Sequence, residues 1–86
     1  MQLDPEKMTD VVKRLKRAQG QLGGIVNMIE DSRECQEIVT QLAAVSKAID
    51  RAGFATISVG LRECIASPEA TEGELEAVEK LFLSLA

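Results

Sequence analysis

The most reactive side chains in this sequence are two cysteines, Cys35 and Cys64, and the chain has no histidine. The thiols stand 29 positions apart in a stretch that predicts one long helix. At about 100° per residue they point to the same face within roughly 20°, and at about 1.5 Å per residue they lie roughly 43 Å apart. A disulfide needs α-carbons within about 7 Å. The spacing therefore predicts that the thiols meet only between two antiparallel copies of the helix.

This pair of thiols fits redox chemistry better than metal binding. A tetrahedral zinc site draws on four ligands, usually Cys and His, which the pair does not supply. Cu(I) accepts thiolates at low coordination number, so a two-thiolate copper site is the alternative. The nearby carboxylates of Glu34 and Glu63 are expected to be solvated charges. In the redox interpretation, one thiolate attacks an electrophilic sulfur and the second thiol resolves the adduct into a cross-link.

The two thiols are predicted to differ in role. Cys35 falls in the first turn of its helix, where unpaired amides and the helix dipole favour a thiolate. It is therefore expected to be the nucleophile, with Cys64 as the resolving thiol. Arg33 and Arg62 would each add positive charge beside a thiol if their side chains reach it. For either cysteine taken alone, the alternative is a small buried hydrophobe.

Three helices and no strands are predicted, which makes the fold class all-α. The first helix is expected from Pro5 to Glu30, with Asp4 as its N-cap. Its apolar residues recur at spacings of three and four, which is typical of an amphipathic helix. Three glycines in its middle indicate either a kink or the close approach of a neighbouring backbone: Gly20, Gly23 and Gly24.

The second helix is predicted to begin at Asp31 or Ser32, because Asp31 and Glu34 resemble a capping box. It is expected to end before Pro68, since the residue before a proline is biased out of the helix. Gly53 and Gly60 are candidate bend points. A helix of this length in so short a chain must find partner helices outside its own protomer.

The third helix is predicted from Thr71 to Leu85, with Thr71 and Glu74 as a second capping box. The segment 67–70 between the last two helices is predicted to be a turn. The 86 residues are expected to form a single domain, residues 1–86, whose limited core favours oligomerisation. With no apolar leader and no membrane-length apolar run, the protein is expected to be cytoplasmic.

Basic residues concentrate near the N-terminus, although the formal net charge is −4. Lys13, Arg14, Lys16 and Arg17 cover more than one face of the first helix. Arg51 would extend this positive surface once the helices pack. The alternative is a solvated face whose long side chains lie over the core. No helix-turn-helix is predicted, so DNA binding would use a surface spread over an oligomer.

Two segments resemble the copper-sensing operon repressor (CsoR) family. Residues 14–25, RLKRAQGQLGGI, are similar to its signature first helix, and residues 35–45, CQEIVTQLAAV, followed by AIDR at 48–51, resemble its second helix. The resemblance covers nearly the whole chain. It implies an antiparallel helical-bundle dimer, assembling to a dimer-of-dimers tetramer, that represses transcription by binding operator DNA. The DNA-contacting residues that it implies are Lys13, Arg14, Arg17 and Arg51.

Family members differ in what they sense. Copper sensors carry Cys, His and Cys, and here Cys35 and Cys64 match the thiols while Gly60 stands at the His position. Nickel and cobalt sensors use histidines, and formaldehyde sensors need a proline where this chain has Gln2. Two thiols without histidine resemble the persulfide-sensing, CstR-like branch. In that branch reactive sulfur species bridge the two thiols between protomers, and the DNA dissociates.

The leading hypothesis is thus a persulfide-responsive repressor with no resident cofactor. One alternative keeps the repressor and makes Cu(I) its inducer, bound by Cys35 and Cys64. A second alternative is a helical interaction module without a DNA role. An enzyme is not expected, because the chain offers neither a histidine base nor a phosphate-binding glycine motif.

Overall fold

A computed structural model describes residues 2–66 and 71–86, and within these residues it contains helices and no strand. The elements are a short 3₁₀ turn at Pro5–Met8, α1 at Thr9–Glu30, α2 at Cys35–Ala66 and α3 at Glu72–Leu85. The all-α fold class with three helices is confirmed. The turn predicted at 67–70, and the helix-ending role of Pro68, lie outside the described residues.

The first helix begins later than predicted. Asp4 does act as a cap, because its Oδ1 accepts a hydrogen bond from the backbone N–H of Glu6 at 3.0 Å. The backbone N–H of Lys7 then donates to the carbonyl of Asp4, which is the tighter i to i+3 pattern of a 3₁₀ turn. The α-helix proper therefore starts at Thr9 rather than at Pro5.

The predicted capping box at Asp31 is wrong, because these residues end α1 instead of starting α2. Asp31 is the C-cap of α1, and Ser32 adopts a left-handed conformation with φ of 57°. The N–H of Ser32 donates to the carbonyl of Ile29, and the N–H of Arg33 donates to that of Met28. These two bonds form a Schellman motif. Residues 31–34 thus reverse the chain, and α2 begins at Cys35.

The core of the protomer is a narrow seam between α1 and α2, which pack antiparallel. Its buried residues recur every seven positions, as in a coiled coil: Val11, Ala18 and Ile25 on α1, and Val45 and Ala52 on α2. The far ends of the hairpin are joined by a hydrogen bond of 3.3 Å from the backbone N–H of Asp4 to Oε1 of Glu63. This seam fixes the register between the two helices.

The helix α3 folds back along the C-terminal half of α2. Val78 is buried, and the rings of Phe54 and Phe82 meet edge to face with centroids 5.4 Å apart. A Cβ added at Gly53 would lie 2.7 Å from Cδ1 of Leu85, so the end of α3 rests directly on this glycine. The N-cap predicted for α3 is confirmed, since Oγ1 of Thr71 accepts from the N–H of Glu74.

The glycines of α1 do not interrupt the helix, which runs unbroken from Thr9 to Glu30. A Cβ built at Gly20, Gly23 or Gly24 meets nothing within 4 Å. The close backbone approach predicted for them is therefore not made within the described part of the protomer. The longer helix α2 likewise continues through Gly53 and Gly60 to Ala66.

Much of the apolar surface stays uncovered in a single protomer. Large aliphatic side chains are exposed on all three helices, among them Val12, Leu15, Leu22, Val26 and Ile29 on α1, Val39, Leu42 and Ile49 on α2, and Leu81 and Leu83 on α3. No helix in the described residues is both long enough and apolar enough to span a membrane. This exposed apolar surface is available for packing against further helices.

Candidate functional site

Cys35 is the first residue of α2, and its side chain is exposed. The prediction that it lies in the first helical turn is confirmed, although the helix begins later than expected. At this position the thiol lies beside backbone N–H groups that have no partner within the helix.

The two arginines beside the cysteines bind other partners in the structure. Nε of Arg33 forms an ion pair with Oε2 of Glu37 at 2.9 Å, one turn into α2. Nη2 of Arg62 donates to Oγ of Ser58 at 3.1 Å, on the turn before Cys64. Each guanidinium thus has a recorded partner other than the neighbouring thiol.

Cys64 has a different environment from Cys35, because its side chain is only 5% exposed. It opens onto a cleft of about 220 Å³ between the end of α2 and the beginning of α3. The other residues around this cleft are Ile65, Thr71, Glu72 and Leu75. The neighbouring Glu63 accepts the hydrogen bond from Asp4 described above, so it is not simply a solvated charge as predicted.

Both cysteines are free thiols at opposite ends of one unbroken helix. A regular α-helix over 29 residues separates them by roughly 43 Å, far beyond the reach of a disulfide. An intrachain bond is therefore excluded while α2 is folded. Any chemistry that joins Cys35 to Cys64 needs two chains.

The face of α2 that carries Cys35 is open in its first half. At about 100° per residue, Val39, Leu42 and Ile49 all fall within about 40° of Cys35, and all three are exposed. Gly53 and Cys64, further along α2, lie on the same face within about 20° of Cys35. In that second half the face is covered by α3, whose Leu85 rests on Gly53 and whose Leu75 lies beside Cys64.

A second candidate site is a groove between α1 and α2, which we call the basic groove. It is lined by all four residues predicted to contact DNA, which are Lys13, Arg14, Arg17 and Arg51. The other lining residues are one carboxylate, Asp10, and two neutral residues, Gln21 and Ala48. Its volume is about 590 Å³. Among the described residues, none of the four cations forms an ion pair. The groove thus presents concentrated positive charge on an acidic protein.

Two polar members of the basic groove, Asp10 and Gln21, were not predicted from the sequence. Their signal is their spacing, because residues 10, 13, 14, 17 and 21 recur every three or four positions and share one face of α1. Lys16 points away from this face and does not line the groove.

The described side chains offer few donors for a metal ion. Within residues 2–66 and 71–86, no three His, Cys, Asp or Glu side chains cluster closely enough to hold a metal ion. Gly60, at the position where the resemblance expects histidine, is buried and has no donor atom. A metal at the thiols would have to draw on two protomers and on soft thiolate ligands.

Over its described residues the protein is thus a strand-free helical hairpin with a third helix folded back on it and a basic groove along one side. Residues 7–85 match the family model described as metal-sensitive transcriptional repressor. The chain belongs to this family.

Individual relatives agree with the family assignment. The copper-sensing transcriptional repressor CsoR of Bacillus subtilis is 33% identical over 73 residues, which cover 84% of this chain and 71% of that protein. The copper-sensing transcriptional repressor RicR of Mycobacterium tuberculosis is 31% identical over 68 residues, covering 79% and 71%. The solved structure of the nickel-responsive transcriptional regulator InrS superimposes with a TM-score of 0.75 at 29% identity, covering 92% of each chain.

Proposed function

We propose that this protein is an oligomeric repressor that releases operator DNA when a reactive sulfur species joins Cys35 of one protomer to Cys64 of another. One observation carries the proposal: the two thiols share a face of a single unbroken helix and cannot meet within one chain. Two thiols without a third donor suit a covalent sulfur bridge, because such a bridge needs no further ligand.

The proposed DNA contact is the basic groove. Lys13, Arg14 and Arg17 on α1 lie beside Arg51 on α2, and side chains of this kind neutralise backbone phosphates. Contacts of this type position a protein on DNA and make its affinity fall as salt rises. Sequence specificity would come from the spacing of several grooves in an oligomer rather than from a recognition helix.

The proposed dimer is an antiparallel helical bundle, with two dimers forming a tetramer. Its support is the exposed apolar stripe of α2, formed by Val39, Leu42 and Ile49, and the similar stripe along α1. A second hairpin packed antiparallel on this surface would bury it and bring its own Cys35 towards Cys64.

The sulfur chemistry balances in two steps. The thiolate of Cys35 attacks the outer sulfur of a persulfide, R–S–SH, which forms Cys35–S–SH and releases the thiolate RS⁻. The thiolate of the partner's Cys64 then attacks the inner sulfur of this adduct, which forms the interchain disulfide and releases HS⁻. Two thiols are oxidised by two electrons, and the sulfane sulfur is reduced to sulfide. The persulfide is the oxidant.

The cross-link acts on DNA binding through the geometry of the bundle. A covalent bond between helices of two protomers restricts their relative position, and the basic grooves move with these helices. An inducer shifts such an equilibrium only by as much as it favours one state over the other. The bridged state is therefore proposed to space the grooves wrongly for the operator.

Cu(I) is the second candidate inducer, and a specific observation favours it. Two relatives, CsoR and RicR, are copper-sensing repressors by name. Cu(I) accepts two thiolates, so Cys35 and the partner's Cys64 would hold it without the histidine that Gly60 replaces. In this candidate the two thiols bind the ion and no disulfide forms.

The deciding experiment is a gel shift with DNA from the protein's own promoter region. Organic persulfide is expected to release DNA from the wild type, while Cys35→Ser and Cys64→Ser proteins bind DNA and do not respond. Peptide mass spectrometry should then identify a Cys35–Cys64 bridge between chains. If persulfide leaves the complex intact and anaerobic Cu(I) dissociates it stoichiometrically, the copper candidate replaces the sulfur one. DNA release from the Cys35→Ser protein by persulfide would refute the assignment of Cys35 as the thiol that reacts with persulfide.

A further inference from the structure

We infer that Ala48 is the floor of the basic groove on which a phosphate of the DNA backbone sits, so that the depth of the groove, and not its charge alone, determines DNA affinity. The inference deepens the proposed function and rests on its assignment of the basic groove as the DNA contact. Ala48 is assigned as a positioning residue, because its methyl side chain carries no charge and forms no hydrogen bond.

The residues around the basic groove divide into a floor and a rim. Ala48 on α2 is half-buried, whereas every other lining residue is exposed. The cations belong to the exposed set, and they come from both helices, with Arg51 on α2 and the others on α1. The groove therefore has positively charged walls and an uncharged base between them.

The floor stays open because the side chain at this position is small. Ala48 and Arg51 are neighbours on the surface of α2, since residues three apart lie on one side of a helix. The alanine side chain ends at its methyl group. A longer apolar side chain would extend from the floor towards the cations on the rim and fill the space that a ligand needs.

A phosphate on this floor would lie among several cations at once. Arg14 and Arg17 are neighbours on α1, and Arg51 lines the same groove from α2. Guanidinium groups bind phosphate oxygens through paired hydrogen bonds. A cleft lined by one sign of charge also focuses the electrostatic field more than a flat surface does. A phosphate held above the floor would lose part of both effects, so the depth of the groove should matter.

The test enlarges the floor without changing any charge. Ala48→Leu should weaken the binding of reduced protein to DNA from its own promoter region by roughly tenfold, the order expected when charge-assisted contacts are lost. Ala48→Ser keeps the side chain small and should lose much less affinity. In the leucine variant, the slope of log affinity against log salt should fall by about 0.9 for each groove that loses its phosphate. Equal affinity and slope in the wild type and the folded leucine variant would overturn the inference.

Ala43→Leu is the matched control for added bulk. Ala43 is an exposed alanine of the same helix, and at about 100° per residue it points roughly 140° away from Ala48. This variant should bind DNA as the wild type does. An equal loss in Ala43→Leu would mean that the added bulk acts through the fold, which contradicts the inference. If Ala48→Leu loses helical circular dichroism, Ala48→Met replaces it, because the methionine side chain adapts to its surroundings.

Random-sequence DNA distinguishes a phosphate on the floor from a base. Phosphate contacts carry no direct sequence information. Ala48→Leu should therefore weaken the binding of random DNA as much as that of promoter DNA. A loss confined to promoter DNA would assign this position to base recognition and refute the inference.

The arginine variants separate failure of the inference from failure of the proposed function. If Arg14→Ala and Arg51→Ala weaken DNA binding and Ala48→Leu does not, DNA contacts only the rim and the inference alone is wrong. If none of these variants weakens binding, the basic groove is not the DNA contact, and the inference fails together with that part of the proposed function. A loss in Ala48→Leu without one in the arginine variants would also exclude a phosphate on the floor.

Discussion

Arg14 on α1 and Arg51 on α2 are distant in the chain, yet their side chains line the same groove. The antiparallel seam between the two helices brings them together, with Ala18 on one side and Ala52 on the other as small buried residues. Because the groove is built from two helices, any change in how the helices pack also changes the surface offered to DNA. This links the proposed sensing thiols on α2 to the proposed DNA contacts.

Arg14→Ala and Arg51→Ala are each expected to weaken DNA binding and to make it less sensitive to salt. Each lost phosphate contact should lower the slope of log affinity against log salt by about 0.9. The measurement is fluorescence anisotropy across a salt series. Arg62→Ala is the matched control, since this arginine donates to Ser58 and lies outside the groove. An equal loss in the control would contradict the assignment of the groove.

Asp10→Asn is expected to tighten DNA binding by several-fold, because Asp10 is the carboxylate that lines the basic groove and repels phosphate. The same change should slightly lower stability, since Asp10 lies in the first turn of α1, where a negative charge is favourable. Glu79→Gln on α3 makes the same change in net charge away from the groove. If Glu79→Gln tightens binding equally, the effect comes from net charge and not from the groove.

Oxidation by persulfide is expected to yield covalent dimers. No monomer is expected in which Cys35 and Cys64 of the same chain are joined. The physical reason is the roughly 43 Å of helix between Cys35 and Cys64. Mixing chains of normal and heavy nitrogen before oxidation makes the test direct, because interchain peptides then appear with mixed mass. A bridged peptide that always carries one isotope would show an intrachain bond and refute the geometry of α2.

Ser32→Gly is expected to stabilise the protein by up to about 1 kcal/mol, since Ser32 has φ of 57° at the position of the Schellman motif that favours glycine. Ser46→Gly, in the interior of α2, should instead destabilise it by about 0.5 kcal/mol. Urea unfolding at fixed protein concentration measures both changes. Destabilisation by Ser32→Gly would mean that this turn is not left-handed.

Local sequence signals predicted the helices well and their junction poorly. The apolar spacing and the caps at Asp4 and Thr71 depend on residues within one or two turns, so they are readable from the chain. The prediction of the junction was wrong because Asp31 can either end one helix or begin the next. In the structure Asp31 ends α1, because the backbone hydrogen bonds of Ser32 and Arg33 complete a Schellman motif there.

The separation of Cys35 and Cys64 was predictable from their positions alone, because the rise of an α-helix is a local property that every residue repeats. Their unequal exposure was not predictable in this way. Burial depends on which element packs against each end of α2, and α3 covers one end while the other stays open. The basic groove likewise exists only because two helices pack in one register. Packing, rather than residue spacing, therefore determines which thiol is accessible and which cations act together.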